Sequence, residues 1–248
     1  MGTRSTRRGR RALISALAPA VLLLVLAGLS GTARPAAGTS DTAARPVHPV
    51  VSAPAAVGAL AELPARGAAP TVGRARELLA AIPVRVEDTG AHYDRDEWGD
   101  WTSSYGCDTR ETVLIRDGHH VRTGSGCRVL SGTWPSPYDG ATLTAPRRVD
   151  IDHRVPAAEA QRSGARNWTR AQRAAFFNDP TNLAAVSASA NRSKGDDDPG
   201  RWRPPRRDAW CDYATAYITT KHSYRLHVDP AEHAALTAML GTCTGGHR

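Results

Sequence analysis

The N-terminus sets the first constraint on this chain. Arg4, Arg7, Arg8, Arg10 and Arg11 precede an almost uncharged apolar run from Ala12 to Leu29, and the small residues Ser30, Gly31, Thr32 and Ala33 follow. This is the layout of a secretory signal peptide, here taken as residues 1–33. A membrane tether is the alternative, because an apolar run of about 18 residues nears the spanning threshold. The small residues and the lack of a basic stop signal favour cleavage and a secreted, extracellular product. Four cysteines in an exported chain then read as two disulfides. Of the three possible pairings, Cys107–Cys127 and Cys211–Cys243 each close a local loop, each worth about 3 kcal/mol. No Cys-x-x-Cys pair is present, which argues against a zinc cluster.

Net charge carries less information than it first suggests. Residues 1–33 hold five arginines and no acid, so the formal +8 of the full chain falls to +3 beyond them. The overall pI of 9.8 is therefore mostly an export signal and is no evidence for nucleic-acid binding. Local clusters remain to be weighed.

Residues 34–70 are rich in Ala, Pro, Gly and Thr and read as a flexible linker. The folded domain is expected over residues 71–248. Val72, Ala75, Leu78, Leu79 and Ile82 have helical spacing, so a helix is predicted from Val72 to Ala81, stopped by Pro83. Between Tyr93 and Trp134, Thr112–Ile115 and Arg128–Leu130 read as strands, with Asp117-Gly118 as a hairpin turn. Trp98, Trp101, Tyr105, Trp134 and Tyr138 read as a small core held by the first disulfide. Helices are predicted over Pro156–Arg162, from the capping box at Thr169 to about Asn178, over Ser187–Lys194, and from the capping box at Asp229 to Leu240. The class is α+β.

Chemistry is concentrated in Val149-Asp150-Ile151-Asp152-His153-Arg154-Val155-Pro156, then Asn182, then Asn191-Arg192-Ser193-Lys194. Adjacent strand residues face opposite sides, so Asp152 and His153 can share a site only where the strand ends, and Pro156 suggests that it ends there. Asp152 with Asn191 would give oxygen ligands suited to a hard cation such as magnesium or manganese. His153 would serve as general base to an attacking water. Asn182 would hydrogen-bond the loop or orient the His153 ring.

These residues resemble the HNH, or ββα-metal, nuclease motif, in which a hairpin and a helix grip one divalent ion. The resemblance implies that Asp152 binds the metal, His153 is the general base, Asn182 braces the loop as part of the catalytic set, and Asn191 fills the third motif position. An asparagine there makes zinc less suitable than Mg2+, with Mn2+ as second choice. Ala157 stands where a leucine is usual, which affects packing only. The long separation of His153 from Asn182 reads as a helical insertion that shapes substrate access. The wider chain, roughly Tyr93 to Cys243, resembles exported bacterial HNH endonuclease family proteins, through Gly106–Arg110, Ser131–Trp134, Pro137–Gly140, Ser163–Ala165 with Trp168, and Trp202 with Pro204-Pro205. The implied fold is a small disulfide-stabilised domain with a ββα-metal core, a helical insertion and a C-terminal helix.

Further candidates are weaker. Arg110, Lys194, Arg201 and Arg203 are candidate phosphate contacts, with Arg206 and Arg207 adding charge around Trp202. Asp196, Asp197 and Asp198 read as a helix-ending loop, not as a second metal site. His119, His120, His222, His227 and His233 show no ligand spacing. The expected activity is metal-dependent hydrolysis of phosphodiester bonds of DNA, ahead of RNA, with low sequence specificity and a 5′-phosphate product. The expected protein is a monomer without stable membrane association. The rival reading is a non-catalytic exported module that binds nucleic acid or protein on the same scaffold. A metallopeptidase is disfavoured, since no His-Glu-x-x-His occurs.

Overall fold

The computed structural model describes residues 71–104 and 106–243; the predicted signal peptide, the linker and Tyr105 lie outside them. Helix α1 (Val72–Ala81) opens the described region, capped by Thr71, whose side chain accepts from the Arg74 amide. Two short pieces, β1 (Ser103–Ser104) and β2 (Cys107–Asp108), pair antiparallel and lead into α2 (Thr109–Asp117). Next come β3 (His119–Thr123), β4 (Val129–Pro135) and β5 (Thr142–Leu143), which form one antiparallel sheet in that order. Strand β6 (Val149–His153) is followed by α3 (Ala157–Arg162) and α4 (Arg170–Phe177). Strand β7 (Leu183–Ser187) returns antiparallel to β6, with Val149 opposite Ser187 and His153 opposite Leu183. It runs into α5 (Ala188–Lys194), and α6 (Trp210–Ser223) and α7 (Pro230–Leu240) are the last elements of the described region. Both predicted disulfides are present, Cys107–Cys127 and Cys211–Cys243. Among the described residues no helix is long and apolar enough to cross a membrane.

Several local expectations needed correction. Thr112–Ile115 is helix, not strand. Asp108 caps it by accepting from the Glu111 amide, and this local bond with the tertiary packing of Val113 and Leu114 outweighs β-branched preference. Asp117-Gly118 is the end of that helix, not a hairpin turn; the Gly118 amide donates to the Leu114 carbonyl. A Cβ at Gly118 would meet the indole nitrogen of Trp134 at 2.5 Å, so only glycine admits this close approach. The aromatic residues also do not form one small core. Trp98 and Tyr138 join the main helical core, whereas Trp134 packs with Val113, Leu114, Val129, Val149, Leu183 and Ala185 in a second cluster.

The β6–β7 pair separates these two cores. Leu183 and Ala185 face the second cluster, and Ala184 and Val186 face the first. All five residues of β7 are buried, so the strand is covered on both faces. By the same alternation Asp152 sits opposite Ala184 and His153 opposite Leu183, on different faces of one strand end.

Helices α3, α6 and α7 are tied by one buried charge cluster. The Lys221 ammonium lies 2.5 Å from Glu159 Oε1, 3.0 Å from Glu232 Oε1 and 2.9 Å from the His227 carbonyl oxygen. One cation faces two carboxylates here. Burial, with the Glu159 charge alongside, pushes Glu232 up to about 7 against the pull of Lys221. A carboxyl raised in the native state favours folding fully below its ordinary value of 4.5, and that contribution is lost as pH rises through about 7. Glu232→Gln removes this titration while keeping a side-chain oxygen for the Asp229 amide. Urea unfolding at pH 5 and pH 8 is expected to show the variant gaining stability relative to the parent as pH rises.

Candidate functional site

At the shared end of β6 and α5 a cavity of about 320 Å³ is lined by Arg95, Trp101, Asp152, His153, Asn191 and Lys194, among others. The strand ends at His153, and the Arg154 amide turns to the Asn182 carbonyl, so the residues of opposite strand faces reach one opening.

His153 is held by an aromatic wall. Its ring stacks on Trp101 at 5.6 Å between centroids and lies 4.3 Å from the Phe177 ring. Its Nε2 is 2.7 Å from the Phe177 carbonyl oxygen. A carbonyl only accepts, so Nε2 carries the proton and donates. Nδ1 has no partner among the described residues and is left to accept a proton. Burial pushes His153 down to about 4, against the opposing Phe177 hydrogen bond and Asp152 charge. The imidazole is therefore neutral at neutral pH.

Asp152 is buried, and both its oxygens are engaged. Oδ2 accepts from the Tyr138 hydroxyl at 2.6 Å, and Oδ1 accepts from the Lys194 ammonium at 2.8 Å. Lys194 also donates to the His153 carbonyl oxygen at 2.8 Å, and its side chain is fully buried. The expectation of a phosphate-binding Lys194 needs correction, because its charge is spent on Asp152. Asn191 donates Nδ2 to Asp150 at 3.1 Å, which leaves its amide oxygen without a partner among the described residues.

Asn182 does not reach the cavity. It is completely buried and braces the turn after β6, with Oδ1 accepting from the Val155 amide at 2.8 Å and Nδ2 donating to the Val155 carbonyl at 3.0 Å. It positions backbone; the Phe177 carbonyl, not Asn182, orients the His153 ring. Three predicted substrate contacts also lie away from the opening. Arg110 donates to the carbonyls of Pro146 and Val149, Arg201 pairs with Glu87, and Arg203 donates to the Pro199 carbonyl and stands over Trp210.

Sequence reasoning did not single out Arg95 or give Trp101 a place in the site. The Arg95 guanidinium stands 4.4 Å over the Phe177 ring, donates to the Gly99 carbonyl and lies 3.6 Å from Asp100, and its side chain is 47% exposed, so one partly paired basic group lines the cavity. Arginine stacked on an aromatic beside a histidine was not legible, because the segment that carries it is remote in sequence from β6.

What these groups could hold follows from their free valences. Asn191 offers an unused amide oxygen, and each Asp152 oxygen keeps a lone pair beyond its one hydrogen bond. That donor set fits one hard divalent ion with water and substrate oxygens completing the shell. A separate acidic group, Glu87, Asp198 and Asp229, brings its carboxylate oxygens within 4.8 Å of one another elsewhere in the fold.

Residues 111–239 match the family described as GmrSD restriction endonucleases, C-terminal domain. The match contains Asp152, His153, Asn182, Asn191 and Lys194, and it starts after Arg95 and Trp101. A protein of Arthroderma benhamiae named "Uncharacterized secreted protein" is 44% identical over 197 residues, covering 78% of this chain and 97% of that protein. This relative is fungal, so the resemblance is not confined to bacterial proteins. The chain, like this relative, is a secreted protein. No solved structure matches.

Replacing Lys194 by Met leaves Asp152 buried without its cation. A loss of about 3–5 kcal/mol is expected in urea unfolding, with at least half recovered by adding Asp152→Asn. Asn182→Ala orphans a buried amide and a buried carbonyl at Val155, and a loss of about 2–3 kcal/mol is expected by the same measurement.

Proposed function

Because the chain belongs to the family of GmrSD restriction endonuclease C-terminal domains, we propose that it is a secreted, metal-dependent endonuclease of the HNH type, with β6, β7 and α5 as its ββα unit. The observation that carries this reading is the state of His153: Nε2 is bound to the Phe177 carbonyl and Nδ1 has no partner among the described residues, beside Asp152 and Asn191 on one cavity.

In this reading Asp152 and Asn191 hold one divalent ion, Mg2+ or else Mn2+. When bound, such an ion stabilises charge on the scissile phosphate and on the departing oxygen. His153 Nδ1 takes a proton from the attacking water, and the new oxygen–phosphorus bond forms as the bond to the 3′ oxygen breaks. The departing oxygen takes a proton from solvent, and the phosphate remains on the 5′ end. Arg95 faces the phosphodiester and offsets its charge. Trp101 and Phe177 keep water off one face of the imidazole, and Asn182 holds the turn that fixes β6. The domain responsible spans residues 71–248, with DNA favoured over RNA as substrate. Low specificity is part of this reading, since no reading helix or finger is apparent in the sequence.

The test is cleavage of plasmid DNA and of RNA by the secreted protein with Mg2+, Mn2+ or chelator. Cleavage is expected to require the metal. His153→Ala is expected to lower it by about 10²–10⁴-fold with the fold intact by circular dichroism. Equal traces from parent and variant would leave the binding-module reading in its place.

A further inference from the structure

The acidic group Glu87, Asp198 and Asp229 stands apart from the His153 cavity. It lines a second cavity of about 380 Å³, and the two linings share no residue. The three residues come from distant parts of the chain: Glu87 from the segment after α1, Asp198 from the loop that leaves α5, and Asp229 from the cap of α7.

Carboxylates collected within 4.8 Å repel one another unless a cation lies among them. The protein supplies this only in part. Arg162 and Arg201 each reach Glu87 at 3.2 Å, and Arg201 approaches Asp198 Oδ2 no closer than 3.8 Å. Asp198 is 1% exposed, and its Oδ2 accepts no hydrogen bond among the described residues. Its other oxygen accepts from the Gly200 amide at 2.6 Å. Asp229 uses Oδ1 on the amides of Ala231 and Glu232. A buried carboxylate oxygen with no donor is a costly group that a bound cation would satisfy.

We propose that Glu87, Asp198 and Asp229 form a calcium site that fastens the loop leaving α5 to the cap of α7. The ligands are all carboxylate oxygens, without His or Cys, which selects a hard cation. They converge irregularly from three segments, and the adjoining cavity leaves room for water ligands, which suits calcium better than the strict octahedron of magnesium. Extracellular calcium modules work at affinities of about 10⁻⁴–10⁻³ M, and a site already partly neutralised by Arg162 and Arg201 belongs at that weak end. The loop it would hold begins directly after Lys194, so the ion acts on the scaffold of the His153 cavity without entering it. This inference does not depend on the proposed nuclease activity.

The experiment is thermal unfolding of the secreted protein, first in chelator and then with calcium to 10 mM, against magnesium at equal ionic strength. Calcium is expected to raise Tm saturably by about 3–6 °C, with magnesium giving less than half of that. Asp198→Asn is expected to lose the calcium increment and Asn191→Ala to keep it. Equal calcium and magnesium shifts, an increment retained by Asp198→Asn, or one lost in Asn191→Ala would each overturn the proposal. Titration calorimetry separates this site from the His153 cavity by counting: one bound calcium per chain that is lost in Asp198→Asn and retained in Asn191→Ala supports the site, and a stoichiometry unchanged by Asp198→Asn, or no binding at 10 mM, refutes it.

Discussion

An ammonium taken out of water must recover several kcal/mol of lost hydration from carboxylates and carbonyls at contact distance. The chain contains two lysines against thirty arginines, and both lysines are buried. Lys221 meets Glu159 of α3, Glu232 of α7 and the His227 carbonyl, so three helices share one cation. Lys194 meets Asp152 of β6 and the His153 carbonyl, so α5 is clamped to the end of the strand that carries the site. A compact ammonium can be enclosed by groups from several directions, whereas a guanidinium needs a planar slot. The division of labour follows: arginines make the exposed and half-exposed pairs, such as Arg74–Glu77 and Arg166–Asp88, and lysines fill the two interior posts.

Legibility in the sequence tracks how local each determinant is. The Thr71, Thr169, Ser187 and Asp229 caps each act on an amide within three residues, and the helices they open were readable. Helix α2 has the same kind of local cap, Asp108 on the Glu111 amide, but its β-branched run reads as a strand, and tertiary ties help to overrule it: Arg116 donates to the Leu183 carbonyl and Asp117 accepts from the Ala185 amide. Helix α6 was also missed. It is buried on most sides, so it lacks the polar stripe that gives a surface helix its period. The alanine-rich β7 is a strand because β6 pairs with it. At the site, Asp152, His153 and Asn191 could be named from residue types in order. The role of Lys194 could not be read from its neighbours, but its rarity was a usable signal: in a chain that uses arginine for its surface charge, a lysine marks a position that arginine does not fit.

The helices between His153 and Asn182 have a more direct part than shaping access. Helix α4 ends in Phe176 and Phe177, which stand at 6.5 and 4.3 Å from the His153 ring by centroid. The same residue that walls the imidazole also fixes its tautomer, since Phe177 gives both the ring and the carbonyl that takes Nε2–H. Orientation, protonation and desolvation of the candidate base are thus set by one turn at the end of α4, and the Asn178 side chain secures that turn by accepting from the Thr102 amide and the Thr109 hydroxyl.

Asp152 brings these threads together. A carboxylate has about four acceptor directions, and here one goes to Tyr138 and one to Lys194. What remains is enough for a ligand to an ion but not for a closed cage, and Asn191 adds only a neutral oxygen. A second cation on Asp152 would also feel the Lys194 charge. In the proposed reading such a site would be weak on its own and would be completed by oxygens that the protein does not supply, those of water and of a phosphodiester. Ion and substrate would then each raise the affinity for the other, because each brings what the other lacks. Lys194 in turn keeps the end of β6 against α5 when neither is present, so the cavity is formed before it is filled.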